Sequence, residues 1–293
     1  MRLGLSSPLE HKSPWEWAEK MHRMGCGSVN FPVDHTCDQT LLEQYVEAAG
    51  KYDLMIAEVG AWCNPISPDD KVREAAFTRC VEQLKLADQI SARCCVNVSG
   101  SRGERWDGPY KENLTEDTWK LMVRSIQEII DTANPVNTYY TIEPMPWMYP
   151  MGPHEYLKLI HDVDRERFAM HMDVFNWITT PERYFYHEDF MEECFRKLGP
   201  HIRSCHLKDV ILEQEFTLQF RETACGRGCL NLEKYAQLAR ETDPDMPLII
   251  EHLDGDNAYL ESLAQYEKEK ANAGLFMTES DASNIVKQCD TIM

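Results

Sequence analysis

Four short segments in the second half of the chain end on side chains of the kinds that bind metal ions. Each segment has the apolar character of a buried strand and closes on a carboxylate or an imidazole. This mixed oxygen and nitrogen set suits Mn²⁺, Mg²⁺ or Co²⁺ better than a structural zinc site, which is usually rich in thiolates. The segments are Thr141–Pro144, His171–Asp173, Ser204–Asp209 and Ile249–His252.

The spacing of these segments allots one ligand to each strand–helix unit. The steps from Glu143 to Asp173, then to His206 and then to Glu251 are 30, 33 and 45 residues. These lengths are close to one βα unit, with an additional loop before the last ligand. Since active sites of (β/α)8 barrels lie at the carboxyl ends of the strands, four ligands at four successive strand ends indicate a functional site rather than a salt-bridge network.

Apolar runs of strand length alternate with amphipathic stretches of helical length along the chain. This alternation predicts parallel βα units and an α/β fold, a (β/α)8 TIM barrel. We predict one domain over residues 1–293, with 275–293 as a C-terminal tail that packs on its own barrel or on a neighbour in a homo-oligomer. No Gly-x-Gly-x-x-Gly follows the first strand, which argues against an open dinucleotide-binding sheet. The predicted strands are Arg2–Ser6, Ser28–Pro32, Leu54–Val59, Arg93–Val98, Thr138–Glu143, Phe168–Asp173, Ile202–His206 and Leu248–Glu251. The predicted helices are Pro14–Met24, Asp38–Lys51, Asp69–Ile90, Thr115–Ala133, Pro153–His161, Pro181–Leu198, Leu232–Thr242 and Asp256–Ala271.

Composition and charge restrict the partners. Thirty Lys and Arg against 49 Asp and Glu give a net charge of −19, which repels nucleic acid. The apolar runs are far shorter than the roughly 20 residues of a membrane span. The chain opens directly into a strand rather than a signal peptide, so we predict a cytoplasmic protein. Its 11 cysteines are an odd number without a Cys-x-x-Cys pair, which indicates reduced thiols.

Several motifs together resemble those of a known superfamily. They are Ile142-Glu143-Pro144, Asp173-x-x-Asn176, His206-x-Lys208-Asp209, Gly226-x-Gly228 before a helix, and Ile250-Glu251-His252. In this order they resemble the xylose-isomerase-like TIM barrels, which include ketose 3-epimerases, hydroxypyruvate isomerases, inosose dehydratases and apurinic endonucleases. The resemblance implies that Glu143, Asp173, His206 and Glu251 hold one divalent cation, Mn²⁺ before Mg²⁺ or Co²⁺. It also implies that the two glutamates transfer protons.

The chemistry of these groups agrees with that assignment. Moving a proton next to a carbonyl requires a base, an acid and a cation that holds the enediolate oxygens. We therefore predict a metal-dependent ketose isomerase or epimerase acting on a small-molecule carbohydrate, with Glu143 and Glu251 as base and acid in either order. The alternative is a lyase of the same superfamily, either an inosose-type dehydratase or a C-glycoside-cleaving catalytic subunit. An apurinic endonuclease would need several more histidines, and the four intact ligand positions argue against a non-catalytic barrel.

The residues expected to grip the substrate depart from the epimerase pattern. Such epimerases carry His three residues after the Asp ligand and Arg six residues after the His ligand, where this chain has Asn176 and Leu212. Asn176 can still hydrogen-bond a sugar hydroxyl. Arg221 or Arg227 could replace the missing cation, since both lie in the stretch 211–230, predicted to be a loop that shapes the pocket together with loop 99–113.

Other candidates for the pocket each have a structural alternative. Trp62 and Trp147 could stack on a sugar or cover the barrel. Glu58 could bind hydroxyls or pair with a helix. We expect Lys208 to point away from His206 and to be either an electrophile or a partner of Asp209. His252 is one step out of register with Glu251, which predicts a supporting or helix-facing side chain.

Overall fold

In the computed structural model, which describes residues 1–272, eight parallel strands form a nearly closed barrel. The barrel order is β1-β10-β7-β6-β5-β4-β3-β2. The predicted (β/α)8 fold is therefore confirmed, while the predicted tail 275–293 lies outside the described residues. The barrel strands are β1 (Arg2–Leu5), β2 (Ser28–Asn30), β3 (Met55–Gly60), β4 (Cys94–Val98), β5 (Tyr140–Glu143), β6 (Phe168–Met172), β7 (Ile202–Leu207) and β10 (Pro247–Ile250).

The barrel closes where the first two strands meet. The backbone N–H of Gly27 donates to Leu3 O at 2.9 Å, and the Ser28 hydroxyl donates to Arg2 O at 2.8 Å. Gly4 lies at this seam, and a Cβ added to it would stand 2.3 Å from the carbonyl oxygen of Ser28. Only glycine allows the two backbones to approach this closely.

Helices surround the barrel, as the sequence predicts, and several begin with a capping side chain. Ser13, Asp38, Asp69 and Thr115 each accept hydrogen bonds from backbone N–H groups of the first turn, an arrangement worth about 1 kcal/mol per helix. The predicted helix Pro181–Leu198 is two helices, because Tyr186 leaves the helical conformation (φ −113°, ψ 38°). The helices are α1 (Pro14–Arg23), α2 (Gln39–Lys51), α3 (Asp70–Gln89), α4 (Glu116–Ala133), α5 (Pro153–Val163), α6 (Pro181–Phe185), α7 (His187–Leu198), α8 (Leu232–Thr242) and α9 (Gly255–Asn272).

The two faces of the barrel strands carry different side chains. Outward-facing residues such as Ile142, Met170 and Leu207 belong to the continuous hydrophobic core beneath the helices. Barrel interiors are usually filled by Val, Ile and Leu. Here the interior holds several fully buried polar side chains, among them Glu58 and His171, which meet across the barrel.

The stretch 211–230, predicted to be a loop that shapes the pocket, contains strands that the prediction missed. The chain forms an antiparallel hairpin of β8 (Asp209–Glu213) and β9 (Gln219–Thr223), with Ile211 opposite Arg221. The hairpin extends from the carboxyl end of β7, so it stands beside the mouth of the barrel. Within residues 1–272, none of the helices combines the length and the apolar character needed to span a membrane.

Candidate active site

Four side chains with metal-binding groups meet at the carboxyl end of the barrel. Glu143 ends β5, His206 is the penultimate residue of β7, and Asp173 and Glu251 directly follow β6 and β10. Each offers one ligand atom, and these atoms all lie within 4.8 Å of one another. The structure thus brings together the four residues that the sequence singles out as a metal site.

The imidazole of His206 directs Nδ1 to the centre of this cluster. Its Nδ1 lies 2.8 Å from Glu251 Oε2, 3.4 Å from Glu143 Oε1 and 4.0 Å from Asp173 Oδ2. Although it is buried, Nδ1 makes no hydrogen bond. Buried polar atoms normally have a partner, so a lone nitrogen facing three carboxylates fits a cation, and the donor set suits Mn²⁺, Mg²⁺ or Co²⁺.

The cluster carries more negative than positive charge. Lys208 is 2% exposed, and its Nζ lies 2.7 Å from Asp173 Oδ2 and 2.8 Å from Glu251 Oε1. Burial, together with the Glu251 and Glu143 carboxylates, raises the pKa of Asp173 in spite of the nearby lysine. His206 must be uncharged to bind a cation through Nδ1, and the ammonium of Lys208 alone then does not balance the three buried carboxylates, whereas a divalent cation would.

The two glutamates are held ionised. Burial alone would raise the pKa of each, but the interactions with nearby histidines, His206 first, together lower the pKa of Glu143. His206 and Lys208 together lower the pKa of Glu251 well below its usual range. Both carboxylates are therefore in the form that binds a cation or accepts a proton at neutral pH.

A cavity of about 800 Å³ opens directly above the cluster, within the size range of small-molecule sites. Glu143, His206 and Glu251 reach its surface, whereas Asp173 is not among the lining residues. The walls are largely aromatic and apolar, with a few polar groups. They include Trp62, Trp106, Trp147, Phe175, Phe220, Ile178, Met145, Arg105, Asn176, Lys208, Glu222 and His252.

The two predicted tryptophans both line this cavity. The ring of Trp62 lies nearly parallel to the His206 imidazole, at 6.5 Å between centroids and 27° between planes. Trp147 donates its Nε1–H to Asp107 O at 2.6 Å, which orients the indole. Stacking of either ring on a sugar stays a prediction.

Asn176 touches two of the three clustered carboxylates. Its backbone N–H donates to Asp173 Oδ1 at 3.1 Å, and its side-chain Nδ2 donates to Glu143 Oε1 and Pro144 O, both at 3.0 Å. The amide protons are thus used within the protein. The side-chain oxygen remains for the predicted contact with a substrate hydroxyl.

The predicted direction of Lys208 is wrong. Lys208 stands two residues after His206, and residues two apart along a strand share a face, so its side chain points toward the cluster, where Nζ lies 2.7 Å from Asp173 Oδ2. His252 has a left-handed backbone (φ +56°), which turns its half-exposed ring to the cavity wall, where Nδ1 lies 3.0 Å from Glu222 Oε1. It therefore faces the cavity rather than a helix, and its Nε2 lies 3.4 Å from Glu251 Oε2, which agrees with the other predicted role, that of a supporting side chain.

Two other predicted contacts with the substrate are not seen. Glu58 is completely buried beneath the cluster, so it neither lines the cavity nor pairs with a helix. Arg227 Nη2 lies 3.4 Å from Glu261 Oε2 on α9, away from the cavity, and Arg221 pairs with Glu213 within the hairpin.

Other cavity residues were missed by the sequence analysis. Arg105, from loop 99–113, is the guanidinium that does reach the cavity. Phe220 and Glu222 reach it from β9, and Glu222 Oε2 lies 3.3 Å from Lys208 Nζ. The two-residue spacing of Phe220 and Glu222 was the only signal for them, and it is visible only once a strand is recognised there.

Comparison with known proteins identifies the family. The model of the xylose isomerase-like TIM barrel family matches residues 18–270, so the chain belongs to this family. No curated protein matches the sequence.

Solved structures of low sequence identity share the fold. A probable 3-DHS dehydratase from Bacillus anthracis is 16% identical with a TM-score of 0.69, covering 92% of this chain and 99% of that one. A D-psicose 3-epimerase from Clostridium cellulolyticum H10, determined with D-tagatose, is 13% identical with a TM-score of 0.64 and coverage of 99% and 96%. A xylose isomerase-like TIM barrel protein from Mycobacterium smegmatis, in complex with magnesium, is 15% identical with a TM-score of 0.62 and coverage of 90% and 92%.

Proposed function

We propose that the protein is a divalent-metal-dependent isomerase or epimerase of ketose sugars. The observation that carries this proposal is the placement of Glu143 and Glu251 at the cavity surface, with carboxylate oxygens 3.4 Å and 2.8 Å from His206 Nδ1. Asp173 completes the cluster without reaching the cavity. Two carboxylates facing one substrate space are the arrangement that removes a proton from carbon and returns one.

Each glutamate is oriented through one of its oxygens. Asn176 donates to Glu143 Oε1, and Lys208 donates to Glu251 Oε1 at 2.8 Å. One ionised carboxylate takes the proton from the carbon next to the carbonyl. The other, after taking up a proton from water in the cavity, delivers it to the opposite face or to the neighbouring carbon, and the first then releases its proton to water. A divalent ion held by Glu143, Asp173, His206 and Glu251 would stabilise the negative charge that develops on the substrate oxygens.

The identity of the ion and the substrate class are parts of the same proposal. We propose Mn²⁺ as the ion, with Mg²⁺, the ion bound to the Mycobacterium smegmatis protein of the same fold, as the alternative. A carbohydrate substrate is supported by the fold shared with D-psicose 3-epimerase. Metal analysis of the protein purified without chelator tests the choice of ion. A cytoplasmic location stays a prediction from the sequence.

A lyase is the second candidate, and one observation favours it. Loss of a leaving group needs an acid in addition to the proton-abstracting pair. Glu222 and His252 stand in contact on the cavity wall, 3.0 Å apart, and could supply that acid. The probable 3-DHS dehydratase of the same fold is consistent with this alternative.

The test is turnover of a panel of ketoses in D₂O with Mn²⁺-loaded protein. We expect a product of unchanged heavy-atom composition with deuterium on the carbon next to the carbonyl. Glu143→Gln and Glu251→Gln should each lower kcat by about 10²–10⁴-fold, the usual loss for an acid–base group. Glu222→Gln is the matched control on the same cavity wall, and it should keep most of the activity.

The mass of the product separates the two candidates. Loss of water or of an aglycone, together with a large effect of Glu222→Gln, would replace the isomerase by the lyase. Native turnover by Glu251→Gln would contradict both.

A further inference from the structure

A second set of buried polar side chains lies directly beneath the cluster of carboxylates. It consists of Glu58 on β3, His171 on β6 and Ser204 on β7, each 0% exposed. His171 and Ser204 stand two residues before Asp173 and His206 on the same strands, so they face the barrel interior one step further down. Burying a carboxylate in a barrel interior is costly unless hydrogen bonds and a nearby positive charge stabilise it.

Glu58 joins this set to the imidazole above it. Its Oε1 accepts hydrogen bonds from Ser204 Oγ and from His171 Nε2, the latter at 2.8 Å. Its Oε2 faces His206 Nε2 at 3.4 Å. The opposite nitrogen of His206, Nδ1, is the atom surrounded by the carboxylates of the cluster.

The Glu58 carboxylate favours one position for the proton on the His206 ring. A nitrogen that binds a cation carries no proton, so His206 in its ion-bound form must keep its single proton on Nε2. An ionised carboxylate can only accept hydrogen bonds. Glu58 is therefore a suitable acceptor for the Nε2–H of His206, and it would oppose the other tautomer.

We propose that Glu58 is a positioning residue that keeps the proton of His206 on Nε2 and thereby presents Nδ1 to the cation. This inference rests on the metal-dependent function proposed above. Glu58 would act on ion affinity without touching the ion or the substrate, since it does not line the cavity.

A second ion held by Glu58, His171 and His206 is the competing explanation, because their ligand atoms also lie within 4.8 Å of one another. The hydrogen bonds argue against it. Oε1 of Glu58 already accepts from Ser204 and His171, and the 2.8 Å separation from His171 Nε2 is that of a direct hydrogen bond.

The first experiment compares Glu58→Gln with Thr141→Val by calorimetric titration of ion-free protein with Mn²⁺. Glutamine has the same shape, but its amide can donate to a histidine nitrogen and no longer favours the Nε2–H form. We expect Glu58→Gln to weaken Mn²⁺ binding by about 10–100-fold, as loss of such a partner usually does. Thr141 is equally buried in the barrel interior and donates to Cys95 O rather than to a ligand, so its variant should stay within about twofold of the wild type.

The outcomes of this titration are distinct. Wild-type affinity in a natively folded Glu58→Gln protein would overturn the inference and leave the proposed function standing. Two ions bound per wild-type chain, with one lost in Glu58→Gln, would replace the inference by the second-ion explanation. Failure of the wild type to bind Mn²⁺ would overturn the metal centre and the inference together.

The second experiment needs no variant of Glu58. Long-range ¹H–¹⁵N NMR spectra of the wild-type protein, labelled on histidine and loaded with Mg²⁺, report the proton position on each ring. We expect His206, assigned through loss of its signals in His206→Asn, to carry its proton on Nε2. A proton on Nδ1 would overturn the inference.

Discussion

Lys208 places a positive charge among buried carboxylates at the bottom of the cavity. Its ammonium group is 2% exposed and contacts both Asp173 and Glu251. Removing one partner of a buried ion pair leaves the other charge uncompensated, which costs about 3–5 kcal/mol. We expect Lys208→Met to lower the free energy of unfolding of the ion-free protein by about this amount, measured by urea denaturation with a chelator present.

A bound cation should reduce this loss, because it would neutralise the same carboxylates. We therefore expect a smaller effect of Lys208→Met when Mn²⁺ is present in excess. Lys120→Met removes an exposed lysine that pairs with Glu116 on the surface of α4, and it should not change unfolding measurably. If Lys208→Met lowered the free energy of unfolding equally with and without Mn²⁺, the lysine and the ion would not neutralise the same carboxylates.

Residue types at strand ends could be read from the sequence, but side-chain directions beyond those ends could not. Glu143, Asp173, His206 and Glu251 were found because each ends an apolar run of strand length. The direction of His252 depends on its left-handed backbone (φ +56°), which tertiary contacts decide. A sequence pattern does not contain that information.

At the seam between β1 and β2, the addition of a single methyl group should destabilise the fold strongly. A Cβ on Gly4 would stand 2.3 Å from Ser28 O, whereas a Cβ on Gly50, near the end of α2, would meet no atom within 4 Å. We expect Gly4→Ala to lower the melting temperature, because β1 and β2 must move apart. Gly50→Ala should leave it unchanged or raise it, by up to about 1 kcal/mol of stability, since alanine favours a helix more than glycine does. Scanning calorimetry of the two variants measures both effects, and a Gly4→Ala protein as stable as the wild type would show that the seam is not tightly closed.

The barrel elements were predictable, whereas the β8–β9 hairpin was not. In the barrel, apolar runs of strand length alternate with amphipathic stretches of helical length. Ser, Asp, Thr or Pro marks the start of many of the helices. The hairpin turn at residues 214–218 contains no Gly, Pro, Asn or Asp, so the usual turn signal is missing. The hairpin nevertheless brings Phe220 and Glu222 to the cavity, which is why these residues were missed.

For the whole molecule, ion binding should be linked to stability and to proton release. Burial opposes protonation of His206, but the charges of Glu251, Glu143 and Glu58 outweigh it and raise its pKa well above the usual value. Ion-free His206 is thus protonated at neutral pH, and a cation must displace a proton from it. We expect Mn²⁺ binding to release protons and to strengthen as pH rises, until the pKa of His206 is passed. Calorimetry in two buffers of different ionisation enthalpy measures the release.

The same linkage predicts a stabilised holo-protein. At 100 times its dissociation constant, Mn²⁺ should add about 2.7 kcal/mol to the free energy of unfolding, which excess chelator removes. Binding without proton release, or with no change in melting temperature, would contradict a site centred on His206.

The fold and the cluster of metal-binding side chains could be predicted from the sequence because both depend on regular strand ends. The substrate could not be predicted in this way. Much of the cavity wall comes from loop 99–113 and from the hairpin, and Arg105, Trp106 and Phe220 acquire their positions only through tertiary packing.

The four clustered side chains at the carboxyl ends of the strands also have a consequence for unfolding kinetics. They lie on β5, β6, β7 and β10, and Glu58 faces His206 from β3 across 148 residues of sequence. The cluster is complete only when the last strand has joined the barrel, so it should contribute little to the transition state for folding. An ion held there would act as a late cross-link, slowing unfolding much more than it speeds folding. The protein would then resist unfolding through a slow opening of the barrel rather than through fast refolding.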